Sequence, residues 1–224
     1  MSAVSGKDCS GKQLSCLLSG LRDIGQVDDI LIENLCLDSR KARSGSLFFA
    51  VPGTRQDGRN HIAQAMQAGA SAVLYETEGW TFDGIDENRV FGIRNLRRHI
   101  GSVADIFYDK PSARMHVVGI TGTNGKSTCA MLTAQSLKRL GKCCGVIGTL
   151  GCGFPEDLRQ SSLTTPDPIS LHQDLALFVQ QHARYVCLEV SSHSLDQARN
   201  EGVRFGTVVF TLSLIHISEP TRPY

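Results

Sequence analysis

A glycine-rich segment that runs into a lysine and a serine is the strongest chemical signal in this sequence. It reads Gly119-Ile120-Thr121-Gly122-Thr123-Asn124-Gly125-Lys126-Ser127-Thr128 and lies between an apolar strand pattern and an amphipathic helix pattern. Glycines let backbone N–H groups turn towards an anion, the start of the helix adds about half a positive charge, and the lysine adds a whole one. This arrangement predicts a loop that binds the phosphates of a nucleotide.

The spacing departs from the usual phosphate loop, because Ile120 stands where the G-x-x-x-x-G-K-[ST] pattern has its first glycine. A strand–helix turn without a ligand is the alternative, but such a turn would need neither Lys126 nor Ser127 directly after its last glycine. Lys126 is placed to neutralise phosphate charge, and Ser127 is placed to offer its hydroxyl to a magnesium ion. The predicted nucleotide-binding residues are Gly122, Thr123, Asn124, Gly125, Lys126, Ser127 and Thr128.

Glu189 is the second candidate for chemistry, because it ends the apolar run 185–188, which is typical of a buried strand. The carboxyl ends of parallel strands face the ligand crevice in open α/β sheets. An ordinary exposed loop glutamate is the alternative, since a buried and unpaired carboxylate would be costly. His193, four positions later, fits either a metal or phosphate role or a hydrogen-bonded loop histidine.

Alternating strands and helices must position these residues. Residues 30–108 predict strands at 47–51 and 72–75 and helices at 62–69 and 96–107. Beyond residue 111 the pattern predicts, in order, strand 116–120, helix 127–140 closed by Gly141, strand 144–149, a loop to 168, helix 169–182, and strands 185–190 and 203–210. Pro111 disfavours helical geometry at Lys110, which places a domain boundary there.

The predicted fold class is therefore α/β, in two parts. A small N-terminal α/β substrate domain covers residues 1–110. A phosphate-loop ATPase domain with a mostly parallel sheet, covered by helices on both faces, covers residues 111–211.

Composition argues against several other classes of protein. The 23 Lys and Arg residues nearly balance the 22 Asp and Glu residues, so no overall field favours nucleic acid or an anionic membrane. The eight cysteines are scattered without a C-x-x-C pair, which predicts reduced thiols. No apolar run approaches the ~18 residues that cross a bilayer, and the N-terminus lacks a signal-peptide core. We expect a cytoplasmic protein with no nucleic-acid or membrane partner.

Several segments resemble one family in the same order along the chain. The loop Thr121-Gly122-Thr123-Asn124-Gly125-Lys126-Ser127-Thr128 is similar to that of the Mur ligases and the folylpolyglutamate synthetases. The segments 37–40, 45–50, 53–59, 164–168 and 189–199 resemble the Mur ligases that add the third residue of the peptidoglycan peptide. The resemblance covers roughly residues 20 to 211, which makes chance agreement a poor explanation.

The resemblance implies an ATP-driven ligation with Mg²⁺. The partners would be UDP-N-acetylmuramoyl-L-alanyl-D-glutamate and a diamino acid, which we expect to be meso-diaminopimelate; the sequence leaves L-lysine open. The D-glutamyl carboxylate would take the γ-phosphoryl group of ATP, and the amine of the diamino acid would attack the acyl phosphate. We expect the family's full-length enzyme to act as a monomer.

The resemblance also assigns roles to individual residues. Lys126 and Glu189 would be catalytic, and Ser127 and Glu189 would bind magnesium. Two sets of positions would bind the acceptor substrate: Leu37, Ser39, Thr54, Arg55 and Gln56 for the uridine nucleotide, and Thr164, Thr165, Ser191, Gln197 and Arg199 for the muramoyl-dipeptide. Where the family commonly has Asn before the two threonines, this chain has Leu163, which puts one polar contact in doubt.

The end of the chain departs from the family's pattern. After Thr211 the family continues into a magnesium-binding histidine, a later carbamylated lysine and a third domain, and residues 212–224 match none of these. We expect this tail to be unrelated sequence on a truncated reading frame, and we expect this polypeptide not to ligate. The alternatives left open are another Mur or folylpolyglutamate-type ligase, a non-catalytic fragment that binds a nucleotide or a UDP-sugar, and an unrelated phosphate-loop kinase or GTPase.

Overall fold

The computed structural model describes residues 11–21, 28–53, 56–80, 88–160 and 163–213. The chain divides into two compact units, Met1–Phe107 and Tyr108–Tyr224. Both units are α/β with parallel strands at their centre, which confirms the predicted fold class. No helix in these described ranges is long and apolar enough to cross a membrane.

The first unit contains a parallel four-stranded sheet in the order β3-β4-β5-β6 and a small antiparallel pair, β1 and β2. Its strands are β1 (Lys12–Gln13), β2 (Leu31–Ile32), β3 (Asn34–Cys36), β4 (Ser46–Ala50), β5 (Ala72–Glu76) and β6 (Val90–Ile93). Its helices are α1 (Leu14–Leu18), α2 (Ile62–Gln67) and α3 (Leu96–Phe107). The predicted helix at 96–107 is confirmed, because its apolar residues recur every three or four positions and are buried.

Helix α3 shows how the sequence produces this packing. Ile100, Val103 and Phe107 are at most 2% exposed, and full burial of each such side chain contributes about 1.5–3 kcal/mol. The carboxylate of Glu76, at the end of β5, accepts hydrogen bonds from the N–H groups of Asn95 (3.0 Å) and Leu96 (2.8 Å). The carboxylate of Glu76 therefore accepts hydrogen bonds from N–H groups that have no partner within the helix, and its negative charge lies at the positive end of the helix dipole.

The second unit contains a six-stranded sheet in the order β10-β9-β8-β11-β7-β12. Its strands are β7 (His116–Thr121), β8 (Cys144–Gly148), β9 (Gly151–Phe154), β10 (Asp157–Arg159), β11 (Tyr185–Glu189) and β12 (Phe205–Phe210). Its helices are α4 (Lys126–Arg139), α5 (Pro168–Gln180) and α6 (Ser192–Asp196). Strands β8, β11, β7 and β12 are parallel, whereas β9 and β10 are antiparallel.

Helices α4 and α5 cover opposite faces of this sheet. Ala130 and Ala134 of α4 pack with Cys187 of β11, while Leu175 and Phe178 of α5 belong to a separate apolar cluster with the alternate strand residues. Helix α4 ends in a Schellman turn, in which Gly141 has φ +70° and the N–H of Lys142 donates to the carbonyl of Leu137 at 2.9 Å.

One feature of the second unit differs from the sequence prediction. The stretch predicted as a loop from residue 150 to 168 contains the hairpin β9–β10. Gly151 and Gly153 have φ of +136° and +151°, and such glycines hide the alternation that marks a strand. The helices leave β12 uncovered, since Val208 is 66% and Phe210 is 67% exposed.

Candidate nucleotide and acceptor site

The phosphate loop joins the carboxyl end of β7 to the start of α4. Gly125, with φ +86°, precedes the helix, and Lys126 and Ser127 are its first two residues. The ammonium of Lys126 donates to the carbonyls of Gly122 at 2.8 Å and Thr123 at 3.3 Å. Both partners are neutral carbonyls, and no carboxylate in the described part of the chain pairs with Lys126, so the lysine adds positive charge to the positive end of a helix dipole. This combination suits a phosphate group.

The two residues that follow β12 form hydrogen bonds with the first half of the loop. The hydroxyl of Thr211 lies 2.9 Å from the carbonyl oxygen of Thr121 and 2.6 Å from that of Asn124. The N–H of Thr123 donates to the carbonyl of Leu212 at 2.8 Å. Because neighbouring backbone supports this half of the loop, its shape depends on tertiary packing as well as on its glycines.

Glu189 is buried against the start of α4, at 1% exposure. Its Oε2 accepts hydrogen bonds from the hydroxyls of Ser127 at 3.0 Å and Thr149 at 3.1 Å, and its Oε1 accepts one from the N–H of Thr149 at 3.2 Å. The alternative of an ordinary exposed loop glutamate is therefore wrong. No lysine or arginine of the described residues pairs with this carboxylate, and a buried anion without a cation is costly. A bound cation would remove that cost.

The atoms around Glu189 fit magnesium. The carboxylate and the hydroxyls of Ser127 and Thr149 are hard oxygen donors, and Mg²⁺ is usually held by one or two carboxylates with several waters and substrate phosphates. Within the described residues no group of three or more His, Cys, Asp or Glu side chains forms a metal cage. Gly148 leaves room for the carboxylate, since a Cβ there would lie 2.1 Å from Oε1 of Glu189.

Three of the residues predicted to bind the dipeptide lie beside Glu189. The hydroxyl of Thr164 is 3.0 Å from that of Thr149. The hydroxyl of Thr165 donates to the carbonyl of Glu189 at 2.8 Å, and Arg199 Nη1 donates to the carbonyl of Thr165 at 2.8 Å. Thr165 is only 1% exposed, so its side chain holds β11 and this loop together rather than facing solvent.

The other two residues of that set, Ser191 and Gln197, lie on or next to helix α6. The hydroxyl of Ser191 accepts from the N–H of Ser194 at 3.1 Å and so caps α6. Gln197 Oε1 accepts from Nε of Arg199 at 3.0 Å and from its Nη2 at 2.6 Å. No carboxylate of the described residues pairs with Arg199, so its charge remains available for an anionic group of a ligand.

A pocket of about 260 Å³ is lined in part by Asp174 and by Leu163 and Pro166, which flank Thr164 and Thr165 in the sequence. Burial raises the pKa of Asp174, although Arg159 lies 3.2 Å from its Oδ1 and opposes that shift. Leu163 is 44% exposed and brings an apolar surface where the family commonly has an amide.

In the first unit, the predicted uridine-side residues follow β3 and β4. Leu37 comes directly after β3, and Ser39 donates to Gln64 Oε1 at 2.9 Å. Gln56 is exposed, and its carbonyl accepts a hydrogen bond from the N–H of Gly53 at 2.8 Å. Thr54 and Arg55 lie outside the described residues.

Thr149 is the residue that sequence reasoning missed. It touches both Glu189 and Thr164, yet it follows β8 without any motif that would single it out. Only its position one residue beyond a parallel strand could have suggested it. His193 is exposed on α6, and no side-chain contact with the described residues assigns it a role.

Two family models match this chain. That of the Mur ligase family catalytic domain matches residues 31–108, and that of the Mur ligase middle domain matches residues 120–216. Together the matched ranges cover most of the chain, including the phosphate loop. The chain belongs to the Mur ligase family.

The curated relatives of this Mur ligase chain include proteins named UDP-N-acetylmuramoyl-L-alanyl-D-glutamate–2,6-diaminopimelate ligase. The protein of this name from Ectopseudomonas mendocina is 47% identical over 189 residues, which are 84% of this chain and 39% of that protein. Its namesake from Coxiella burnetii is 46% identical over 209 residues, which are 93% of this chain and 42% of that protein. The chain thus spans about two fifths of the length of these relatives.

Solved structures agree with the Mur ligase fold. A structure of UDP-N-acetylmuramoyl-L-alanyl-D-glutamate–2,6-diaminopimelate ligase aligns with a TM-score of 0.76 at 24% identity, covering 96% of this chain and 42% of that one. A D-alanyl-D-alanyl-adding ligase from Acinetobacter baumannii aligns with a TM-score of 0.60 at 19% identity, covering 92% of this chain and 42% of that one. At these identities the likeness concerns the fold alone.

Proposed function

We propose that this chain carries the nucleotide-binding and acceptor-binding parts of an ATP-dependent ligase that joins meso-diaminopimelate to UDP-N-acetylmuramoyl-L-alanyl-D-glutamate. The hydrogen bond between Ser127 and Glu189 carries the proposal, because a hydroxyl and a carboxylate, which are oxygen donors that Mg²⁺ prefers, then lie side by side at the start of α4. The names of relatives that are 46–47% identical support diaminopimelate as the added residue. The complete ligation is proposed for a protein of those relatives' length.

Each group has a task that its chemistry explains. Lys126 and the N–H groups at the start of α4 hold the phosphates of ATP and neutralise their charge. Ser127 and Glu189 would hold Mg²⁺, which would supply further charge neutralisation on the phosphoryl oxygens. Arg199 presents a planar fork of donors that can bind two oxygens of the acceptor.

The reaction balances as two displacements. An oxygen of the D-glutamyl side-chain carboxylate attacks the γ-phosphorus of ATP, forming an acyl phosphate and releasing ADP. The amine of the diamino acid then adds to the acyl carbon, phosphate leaves with the electrons of the C–O bond, and the nitrogen gives up a proton to solvent as the amide forms. The protein mainly positions these groups and lowers the cost of bringing anions together.

Calorimetric titration of the purified chain with MgATP tests the nucleotide part. We expect the wild type to bind and Lys126→Ala to bind at least ~10-fold more weakly, because a charge-assisted contact to phosphate is lost. Lys142→Ala is the matched control, since Lys142 is an exposed lysine on the turn after α4. Absence of binding by the wild type, or equal binding by Lys126→Ala, would contradict the proposal.

A second titration, with UDP-N-acetylmuramoyl-L-alanyl-D-glutamate, tests the acceptor part. We expect binding that weakens in Arg199→Lys, because an ammonium cannot reproduce the fork of a guanidinium. An unrelated phosphate-loop kinase or GTPase would bind MgATP or MgGTP without this affinity.

A further inference from the structure

We propose that Thr149 is a positioning residue that aims the carboxylate of Glu189 at the magnesium position and links it to the acceptor side of the site. The inference rests on the proposed function, because it assigns Thr149 a task within that same site. It comes from the contacts of Thr149, which is exposed and directly follows β8 at the carboxyl edge of the sheet.

Thr149 holds Glu189 through two separate atoms. Its backbone N–H donates to Oε1 at 3.2 Å and its hydroxyl donates to Oε2 at 3.1 Å, so each carboxylate oxygen accepts a hydrogen bond from Thr149. Ser127 donates to Oε2 from the opposite element, at 3.0 Å. The carboxylate is thereby oriented between β8 and α4, and a metal-binding carboxylate needs such partners to keep its direction.

The hydroxyl of Thr149 also connects two functions. A hydroxyl has one hydrogen and two lone pairs, so while it donates to Glu189 it can accept from the hydroxyl of Thr164, 3.0 Å away. Thr164 then donates to Thr149 and Thr149 donates to Glu189, and each hydrogen bond of this chain polarises the next. Movement of Thr164 when the acceptor substrate binds would therefore shift the Thr149 hydroxyl, and with it the carboxylate of Glu189.

Loss of the Thr149 hydroxyl alone should weaken Mg²⁺ binding more than it lowers the stability of the fold. Thr149→Val keeps the shape of the side chain and the backbone N–H, but it leaves Oε2 with Ser127 as its remaining donor. Loss of an outer-shell partner typically weakens metal binding by ~10–100-fold. Thr149→Ser retains the hydroxyl and should restore wild-type behaviour.

The experiment measures ATP binding by the full 224-residue chain at a series of Mg²⁺ concentrations. We expect the Mg²⁺ concentration for half-maximal binding to rise ~10-fold in Thr149→Val and to stay at the wild-type value in Thr149→Ser. Thr133→Val, an equivalent change on α4 away from the site, is the matched control and should also leave it unchanged. The melting temperature without ligand should agree among all four proteins.

The outcomes separate this inference from the proposed function. If the wild type binds MgATP but Thr149→Val has the same Mg²⁺ dependence, the inference is wrong and the proposed function stands. If Thr149→Val lowers the melting temperature and Mg²⁺-free ATP binding as strongly as Mg²⁺-dependent binding, Thr149 is merely structural and the inference is wrong. A wild type that binds no ATP would overturn both.

Discussion

At the scale of single residues, Glu189 is the carboxylate around which the candidate site of the second unit is arranged. Its carboxylate is 1% exposed and receives three hydrogen bonds from Ser127 and Thr149. Hydrogen bonds lower the cost of burying a charge, but they do not replace a cation. The residue is therefore better suited to binding an ion than to stabilising the fold.

Glu189→Gln separates these two effects. The substitution removes the charge and keeps most of the shape, so we expect the free energy of unfolding without ligand to fall by less than ~1 kcal/mol or to rise. We expect Mg²⁺-dependent ATP binding to weaken at least ~10-fold, because the ion loses its carboxylate. Chemical denaturation and calorimetric titration measure the two quantities, with the exposed Glu201→Gln as control. Unchanged Mg²⁺-dependent affinity would contradict the assignment of Glu189.

Asp38 provides a residue-scale prediction in the first unit. It caps the short 3₁₀ turn Ser39–Lys41, and its hydrogen bond with the Arg40 side chain lowers the pKa of the carboxyl to about 2. A folded-state pKa below the unfolded value adds stability above the unfolded value of 3.8, and that stability is lost as pH falls towards 2. The Asp38 side chain is 32% and that of Arg40 is 80% exposed, so the contribution is below ~1 kcal/mol.

We therefore expect Asp38→Asn to be slightly less stable than the wild type at pH 7. The difference should shrink between pH 4 and pH 2, as the wild-type carboxyl becomes protonated. Urea unfolding at several pH values measures it, and a difference that is constant across this range would show that charge at Asp38 has no part in the stability.

At the scale of elements, the phosphate loop depends on strand β12 as well as on its own glycines. Gly122 has φ +135°, and a Cβ at that position would lie 2.2 Å from the hydroxyl oxygen of Thr211. The glycine therefore satisfies two independent requirements, a backbone angle that L-residues rarely adopt and close approach of a neighbouring strand. Two N–H groups of the loop, those of Thr123 and Asn124, donate to the carbonyl of Leu212, at 2.8 Å and 3.4 Å.

Gly122→Ala should disturb both requirements at once. We expect ATP binding to weaken by ~10-fold or more and the free energy of unfolding to fall by at least ~1–2 kcal/mol, because the alanine is strained and collides with Thr211. Gly20→Ala is the control, since a Cβ at Gly20 meets nothing within 4 Å. Wild-type affinity and stability in Gly122→Ala would contradict the described loop geometry.

At the scale of the whole molecule, β12 leaves an edge of the second sheet exposed. It pairs with β7 on one side, and in the described part of the chain no strand pairs with its other side. Val208 and Phe210 are 66% and 67% exposed on this strand. An exposed apolar edge strand is a template for pairing with another chain.

We therefore expect the 224-residue chain to self-associate as its concentration rises. Val208→Lys should raise the fraction of monomer, because a charge on an edge strand opposes pairing, whereas Leu132→Lys on the helical surface of α4 should not. Sedimentation velocity measures the distribution of species. A wild type that stays monomeric at high concentration and melts in one sharp transition would contradict this expectation.

Sequence reasoning predicted the long elements well because their signals are local. The burial of Ile100 and Phe107 follows from their helical spacing, and the loop from Gly122 to Ser127 follows from glycines, lysine and serine in sequence. The hairpin β9–β10 was missed, because its strands are short and two of their residues are glycines with positive φ. The apolar composition of β12 predicts a strand, and the exposed Val208 and Phe210 agree with the uncovered apolar surface that an unfinished sheet leaves.

By itself, the sequence determined the α/β class and the presence of a nucleotide phosphate loop, because both depend on residue types at short spacing. Its resemblance to the Mur ligases was confirmed by the family matches. Tertiary structure alone decided that Glu189 is buried, that Ser127 reaches it across 62 residues of chain, and that Thr149 lies between Glu189 and Thr164. These contacts arise because separate parallel strands end at one edge of the sheet, and a linear sequence does not record which strands are neighbours.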